Sequence, residues 1–172
     1  MKRGYHLATI KPLLGNVTNG ATAYAGNDVL FNWTAIEIPT GACFVRTINL
    51  LCAGTNGVAG NTHDLQLYYA RSINGVAPSN FGVENVAPTN LLASTCKNNI
   101  IGFSMLDLSA QDDLDKLISY NIIGSRTAAG NDNTPNAGSA HNVMLQGDPI
   151  YASTTGYQTI WVAGIARGAF DF

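Results

Sequence analysis

The sequence predicts an all-β protein, and three observations lead to this class. Several runs alternate apolar and polar residues with a period of two, which is the pattern of half-buried strands. Stretches rich in glycine and asparagine separate these runs, and the 172 residues include 18 glycines. Only one short stretch has helical spacing. About seven or eight strands predict an antiparallel two-sheet β-sandwich, and the long, uneven connections favour its jelly-roll form.

The most apolar region, residues 28–53, contains two strand patterns joined by the turn signal Pro39-Thr40-Gly41. Proline cannot donate a hydrogen bond to a β-ladder, and glycine tolerates a positive φ. We therefore expect the chain to reverse direction here. The two strands should either pair antiparallel or cross from one sheet to the other.

If both of these strands are regular, each places its large apolar side chains on one face. These residues are Phe31, Trp33 and Ala35 in the first strand and Phe44, Ile48 and Leu50, together with Arg46, in the second. We therefore expect Trp33 and Phe44 to lie in the core. Truncation of a core aromatic residue to Ala costs about 3–5 kcal/mol of stability.

Six further stretches have strand patterns. They are residues 5–11, 64–71, 99–108, 118–124, 142–152 and 157–167. In the second of these, Leu65, Leu67 and Tyr69 share one face, so Tyr68 and Tyr69 should point to opposite faces.

One short capped helix is predicted after the strand at residues 99–108. Ser109 stands three residues before Asp112, which is the spacing of a capping box, and Leu114, Leu117 and Ile118 follow at helical spacing. Acidic side chains at such a helix start are stabilised by the helix dipole, so Asp112, Asp113 and Asp115 need no catalytic role.

The chain length fits one domain over residues 1–172, with residues 1–20 as an N-terminal arm. Only 12% of the residues are charged, about half of the usual share of roughly 25%. A net charge of −2 resists self-association weakly, so we expect the protein to work inside an assembly. A neutral monomer is the alternative.

Several function classes lack support. The nine Lys and Arg residues are dispersed and form no basic stripe, which argues against a nucleic-acid partner. No apolar run approaches the length of a membrane span, and the first residues contain no export signal. Cys43, Cys52 and Cys96 have neither disulfide-framework nor zinc-site spacing, so we expect reduced, buried thiols.

Catalytic and metal-binding patterns are also missing, and the sequence predicts no catalytic residue, metal or cofactor. His6, His63 and His141 are isolated and lack metal-ligand spacing. Ser104 lacks the second glycine of a nucleophile elbow and is interpreted as a strand serine. Residues 131–133 (NDN) have oxygen ligands but not the spacing of a calcium loop, so a polar surface loop is favoured.

The longest irregular section is residues 72–94, which contains Pro78 and Pro88. A loop of this length in a compact domain is usually functional or covered by a partner. The last residues place Phe170 and Phe172 at a terminus, where apolar rings are stabilised by docking on a partner or on the chain itself. The predicted interface residues are Phe170, Phe172, Pro78, Phe81 and Pro88.

Three stretches resemble small virion proteins of marine and cyanobacterial tailed phages. They are residues 26–31 (GNDVLF), 64–69 (DLQLYY) and 161–168 (WVAGIARG). The likeness covers roughly residues 20–170. The chain departs from these proteins at residues 128–140 and 168–172, so a binding surface carried by those parts does not transfer.

The resemblance implies a function without catalysis. Proteins of this type are capsid decoration or cement components with a β-sandwich, located on the capsid surface of the virion after synthesis in the host cytoplasm. The expected partner is therefore the major capsid protein. Such proteins commonly occupy threefold positions of an icosahedral lattice, so a homotrimer is also expected.

Two alternatives stay open. One is a receptor- or glycan-binding tip of a tail fibre, which should expose aromatic residues ringed by carboxylates. The other is an enzyme such as a glycan depolymerase, which needs two carboxylates about 5–10 Å apart in a groove.

Overall fold

The computed structural model describes residues 4–12, 24–53, 64–90, 94–106, 112–113, 117–123, 143–148 and 156–168. Within these ranges the chain is mostly strand, with a single helical turn. The elements are β1 (Val29–Pro39), β2 (Cys43–Phe44), β3 (Thr47–Ala53), β4 (Leu65–Ala70), α1 (Ser94–Lys97), β5 (Ile100–Leu106), β6 (Asp112–Asp113), β7 (Leu117–Ile123), β8 (Met144–Leu145) and β9 (Tyr157–Ala166). The prediction of an all-β protein is thus confirmed. Among the described residues, no helix is long and apolar enough to cross a membrane.

The described strands form three antiparallel sheets. The largest has four strands in the order β1-β9-β4-β5, and the others are the pair β2-β8 and the three-stranded sheet β3-β7-β6. The two central strands of the large sheet, β9 and β4, are buried along most of their length. Such strands are apolar on both sides, because neither face of the sheet is left in water.

The turn at residues 39–41 behaves as its sequence indicates. Gly41 has a φ of 95°, and the Gln158 side-chain amide donates to the carbonyl oxygens of both Pro39 (3.1 Å) and Gly41 (2.5 Å). The chain leaves β1 in the four-stranded sheet and continues as β2 and β3 in the two smaller sheets. Of the two expected arrangements, the crossing between sheets is therefore the one that forms.

The apolar side chains form two cores on opposite faces of the four-stranded sheet. The first core is the larger and combines residues of that sheet with residues of β2, β3 and β8. The second core lies on the other face and contains Val29, Phe81, Cys96, Ala163 and Ile165. Both faces of the sheet are therefore covered by other parts of the same chain.

The alternation in β1 is broken by one residue. Phe31 packs in the first core, whereas Trp33, two residues later, packs against the second core. The pairing of β1 with β9 shifts register on both sides of Phe31, as at a β-bulge. The expectation that Phe31 and Trp33 share a face is therefore wrong, since a one-residue shift reverses the facing of a strand.

A similar break separates β2 from β3. Ile48 and Leu50 pack against the first core as expected, but Phe44 and Arg46 point outward, and Phe44 is 50% exposed. The strand is interrupted between Phe44 and Thr47, and this interruption changes the phase of the alternation. The prediction of a core position is therefore wrong for Phe44. Trp33 is partly buried against the second core.

Most strand predictions are confirmed, and three expectations need correction. Residues 5–11 form no strand, and within residues 142–152 the described strand is only Met144–Leu145. The helix predicted after Ser109 is wrong at the residues of that stretch that the structure describes, 112–113 and 117–118. Leu117–Ile123 is instead a strand paired along β3, and Asp112–Asp113 pairs with that strand in turn. Cross-strand pairing overrides the weak local helix signal here.

Gly164 provides a test of the bulge in β1. It pairs with Phe31, and a Cβ added to Gly164 would overlap the phenyl ring, whose Cδ1 atom lies 2.8 Å from the ideal Cβ position. We expect Gly164→Ala to lower the free energy of unfolding by about 1–3 kcal/mol, because overpacking forces the core to shift. Denaturant titration measures this change.

Two further variants make the interpretation specific. Gly4→Ala should change stability little, since nothing lies within 4 Å of the added Cβ. Phe31→Leu should recover part of the loss when it is combined with Gly164→Ala, because the smaller side chain leaves room for the methyl group. An unaltered unfolding midpoint for Gly164→Ala would contradict the close packing of these two residues.

Candidate interaction surfaces

The long connection between β4 and α1 is a structural layer of the molecule. Its single aromatic residue, Phe81, is fully buried. The Phe81 ring lies between Trp33, at a centroid distance of 4.7 Å, and Tyr68, which it meets edge to face at 5.4 Å. Residues 72–90 therefore cover the second core, in place of another sheet.

Side-chain hydrogen bonds from β1 hold this connection. The Asn32 side chain accepts from the Phe81 backbone N–H (3.0 Å) and donates to the Gly82 carbonyl oxygen (3.1 Å). The Trp33 indole N–H donates to the Ser79 carbonyl oxygen at 2.8 Å. These contacts satisfy polar groups that a loop pressed against an apolar face would otherwise leave without partners.

The same connection also covers part of a sheet edge. The Val29 N–H donates to the Val86 carbonyl oxygen (3.1 Å), and the Asn85 N–H donates to the Val29 carbonyl oxygen (2.9 Å). Asn85 has a φ of 58°, a conformation that asparagine tolerates better than most residues. The start of β1 is thus paired with β9 on one side and with the connection on the other.

The predicted interface residues of this loop are placed unequally. Phe81 and Pro78 are buried, and Pro88 is half-buried. The interface expectation is corrected at Phe81, because its ring is wholly enclosed by its own chain and offers no surface to a neighbouring subunit. Phe170 and Phe172 lie outside the described residues, and their interface role stays a prediction.

The outward side of the connection is nearly uncharged and carries three exposed valines. We call the exposed side chains of Val76, Val83 and Val86 the loop surface. Within residues 72–90, Glu84 is the one charged residue. The buried Phe81 therefore anchors a segment that presents mostly neutral side chains, the three valines among them, to its surroundings.

A second apolar surface lies on the smallest sheet. Phe44 and Met144 are directly opposite each other in β2 and β8, and each is half exposed. The Arg46 guanidinium carbon lies 5.8 Å from the centre of the Phe44 ring, within the range of a cation–π contact. We call these three residues the small-sheet patch.

A third exposed aromatic group lies on β5. Phe103 is 53% exposed, and its ring centre lies 6.1 Å from that of Tyr68, its cross-strand neighbour on β4. Burial raises the pKa of Tyr68, and the charge of Arg167 partly offsets this rise. Tyr69 packs in the first core and Tyr68 against the second, so the expected opposite facing is confirmed.

The candidate nucleophile Ser104 has a structural environment. Its side chain is fully buried, with Oγ 3.1 Å from the Tyr69 hydroxyl oxygen, and burial raises the pKa of Tyr69 to about 12. His6 lies elsewhere, with Nε2 2.9 Å from the Glu37 carbonyl oxygen and its ring 5.5 Å from that of Tyr157. The interpretation of Ser104 as a strand serine is confirmed.

The other polar candidates contribute no described site. His63, His141, Asp115 and residues 131–133 lie outside the described residues. Within the described part of the chain, no group of three or more His, Cys, Asp and Glu residues is placed to hold a metal ion.

Comparisons with protein-family models, with curated proteins and with solved structures found no match to this chain. Its function must therefore be inferred from its own residues and surfaces.

The described thiols are free and protected by burial. Cys96 is fully buried in the second core, and the thiol of the half-buried Cys43 lies 3.5 Å from the Pro39 carbonyl oxygen. Burial raises the pKa of both thiols above the ordinary value of 9.0. The side chain of Cys52 lies outside the described part of the structure.

We expect Cys96 to react with a thiol reagent only when the protein unfolds, and Cys43 to react slowly. Both should stay protonated at neutral pH. Because burial disfavours the charged thiolate, the free energy of unfolding is at its full value below the ordinary thiol pKa. It falls as the pH rises above that value and through the raised pKa of the folded state. Mass spectrometry of labelled peptides measures the rates, and rapid labelling of native Cys96 would contradict its placement.

The role of Phe81 is tested by truncation. We expect Phe81→Ala to lower the free energy of unfolding by about 3–5 kcal/mol, since the ring fills the second core. Val83→Ala, two residues along the same loop and exposed, should cost less than about 0.5 kcal/mol. Equal, small effects in denaturant titrations of both variants would show that the loop is not a structural layer.

Proposed function

We propose that this protein is a non-enzymatic capsid decoration or cement protein, which binds the outside of a viral shell built from a major capsid protein and stabilises it. The observation that carries the proposal is the loop surface. It combines three exposed valines with an anchored backbone and almost no charge. The resemblance of three sequence stretches to phage virion proteins supports the same function.

An anchored, neutral loop is suited to repeated docking. Ordering a flexible loop costs conformational entropy at the moment of binding, and here Phe81 and the Asn32 side chain have already fixed the backbone. Apolar side chains contribute about 25 cal/mol for each Å² that a partner covers. Such contacts depend weakly on salt, because few charges take part.

We also infer the finer architecture, a jelly-roll sandwich. Its support is the first core, in which β2, β3 and β8 of the smaller sheets pack against the inner face of the four-stranded sheet. Two sheets with facing apolar sides are the defining feature of a sandwich. The crossing at residues 39–41 connects the two layers in the way that such a fold requires.

Self-association into a homotrimer is part of the proposal. The weak net charge of −2 and the numerous exposed apolar side chains favour it. Phe170 and Phe172 remain the proposed contact residues at the end of the sequence. A cyclic trimer closes on itself and fits a threefold position of an icosahedral shell.

A glycan-binding tip of a tail fibre is the second candidate, and one observation favours it. The half-exposed Phe103 ring, with the Tyr68 ring tilted beside it, is an aromatic group of the kind on which sugars stack. Electron cryo-microscopy of the source particle separates the two functions. The decoration role requires density for this chain on the head, whereas the tip role requires it at the end of a fibre.

The loop surface should control attachment to the shell. We expect the double variant Val83→Ser/Val86→Ser to bind shells of the cognate major capsid protein at least about tenfold more weakly, because it removes exposed apolar groups without touching the core. Co-sedimentation of the variant with the shells measures the bound fraction over a concentration series.

The matched control changes the small-sheet patch instead. Phe44→Ser/Met144→Ser also removes two half-exposed apolar side chains, and its attachment should be that of the unaltered protein. Wild-type binding by the loop variant, or a loss confined to the small-sheet variant, would contradict the assignment of the loop surface.

A further inference from the structure

The two edges of the four-stranded sheet are protected differently. Along β1, the backbone at Val29 is paired with residues 85–86, and the Glu37 carbonyl oxygen is contacted by His6. At the opposite edge, within the described part of the chain, no strand is paired with the outer side of β5. An unpaired strand edge is a template for pairing with another chain.

The sequence of β5 lacks the usual protection of an edge strand. Its residues, IIGFSML, include no charged residue and no proline, and these are the common devices that prevent edge-to-edge pairing. Ser104, Met105 and Leu106 are buried, whereas Phe103 is 53% exposed and the residues before it are half-buried. We call the first half of this strand, Ile100 to Phe103, the open half of β5; Phe103 is its exposed residue, and Val143 lies against Gly102.

Residues 4–12 have the complementary property. This segment is attached to the molecule through the His6 contact with Glu37 and through Ile10, which packs against the first core. Tyr5 is 97% exposed and Leu7 is 83% exposed, although both are large and apolar. Among the described residues, the segment takes no part in any β-ladder.

We propose that residues 4–10 of one copy add as a strand to the open half of β5 in a second copy, with Tyr5 and Leu7 against Phe103. Strand addition of this kind obtains its affinity from main-chain hydrogen bonds and its specificity from alternate side chains. The inference rests on the proposed self-association and names the surfaces that carry it.

The sheet order explains why the acceptor belongs to another copy. In the described structure His6 of the segment lies beside Glu37 of β1 and Tyr157 of β9, whereas β5 is the strand at the far edge, three positions from β1 and about 14 Å away at 4.8 Å per strand. As placed there, the segment lies away from β5 of its own chain. Between copies, the same geometry joins unlike edges head to tail, and such a contact closes into a ring when the rotation allows it.

Charge is compatible with this contact. Residues 4–10 (GYHLATI) contain no Asp, Glu, Lys or Arg, and neither does β5. No like-charge pair opposes the approach of the two backbones. Apolar contact between Tyr5, Leu7 and Phe103 would cover three of the large hydrophobic side chains that the single chain leaves exposed.

Two variants separate the donor from the acceptor. Tyr5→Ser/Leu7→Ser alters the donor segment, and Phe103→Lys places a charge on the acceptor edge. The controls are Val76→Ser/Val83→Ser, which also replaces two exposed apolar residues, and Phe44→Lys, whose parent ring is 50% exposed against 53% for Phe103. Sedimentation velocity of each full-length protein over a concentration series gives its mass and dissociation constant.

We expect the unaltered protein and both controls to self-associate, and the donor and acceptor variants to do so at least about tenfold more weakly. An equimolar mixture of the two weakened variants should form a heterodimer, because one supplies an intact acceptor edge and the other an intact donor segment. Melting curves check the folding of each variant. The donor variant changes only exposed side chains, so it keeps the test decisive even if Phe103→Lys destabilises the fold.

The outcomes separate this inference from the proposed function. If the donor variant associates as tightly as the unaltered protein, the strand addition is wrong while shell binding stands. If the unaltered protein is monomeric throughout, both the strand addition and the trimer are wrong. Loss of shell binding by the loop variant is measured independently and is affected by neither result.

Discussion

The packing of Phe81 against the four-stranded sheet is the constraint on which the rest of the structure depends. The sheet is apolar on both faces, and the smaller sheets contribute to the core on only one of them. A loop with one aromatic residue closes the other face, because the Phe81 ring fills the space between Trp33 and Tyr68. Removal of that ring would leave a cavity between Trp33 and Tyr68. The connection between β4 and α1 is long because it forms the layer that covers the second core.

Much of the fold is predictable from the sequence, because alternation and turn residues are local signals. The faces of β4 and β9 follow from a strict period of two, and so does the opposite placement of Tyr68 and Tyr69. The predictions of side-chain facing are wrong where a strand is irregular. A register shift on each side of Phe31 and a break after Phe44 reverse the facing of the side chains nearby. Neither irregularity has a sequence signal as clear as a proline or a glycine pair.

The interaction surfaces were only partly predictable. The loop at residues 72–94 was recognisable from its length, but sequence alone could not separate its buried anchor, Phe81, from its exposed valines. A lone aromatic residue in a nearly uncharged loop, between two prolines, is the signal that indicates docking. The edge position of β5 could not be predicted, because the position of a strand within a sheet depends on long-range pairing that alternation does not encode. The same limit explains the helix expected after Ser109, where pairing with β3 dominates.

Hydrogen exchange of the backbone amides tests the central claim most directly, that residues 79–90 are part of the folded core. The N–H groups of Thr89 and Asn90 both donate to the Phe81 carbonyl oxygen at 3.0 Å, and that of Asn85 donates to Val29. If the loop is a structural layer, these three amides should exchange as slowly as those in the middle of β9, with the free energy of global unfolding. Exchange of these amides by local opening, orders of magnitude faster than in β9, would contradict the account.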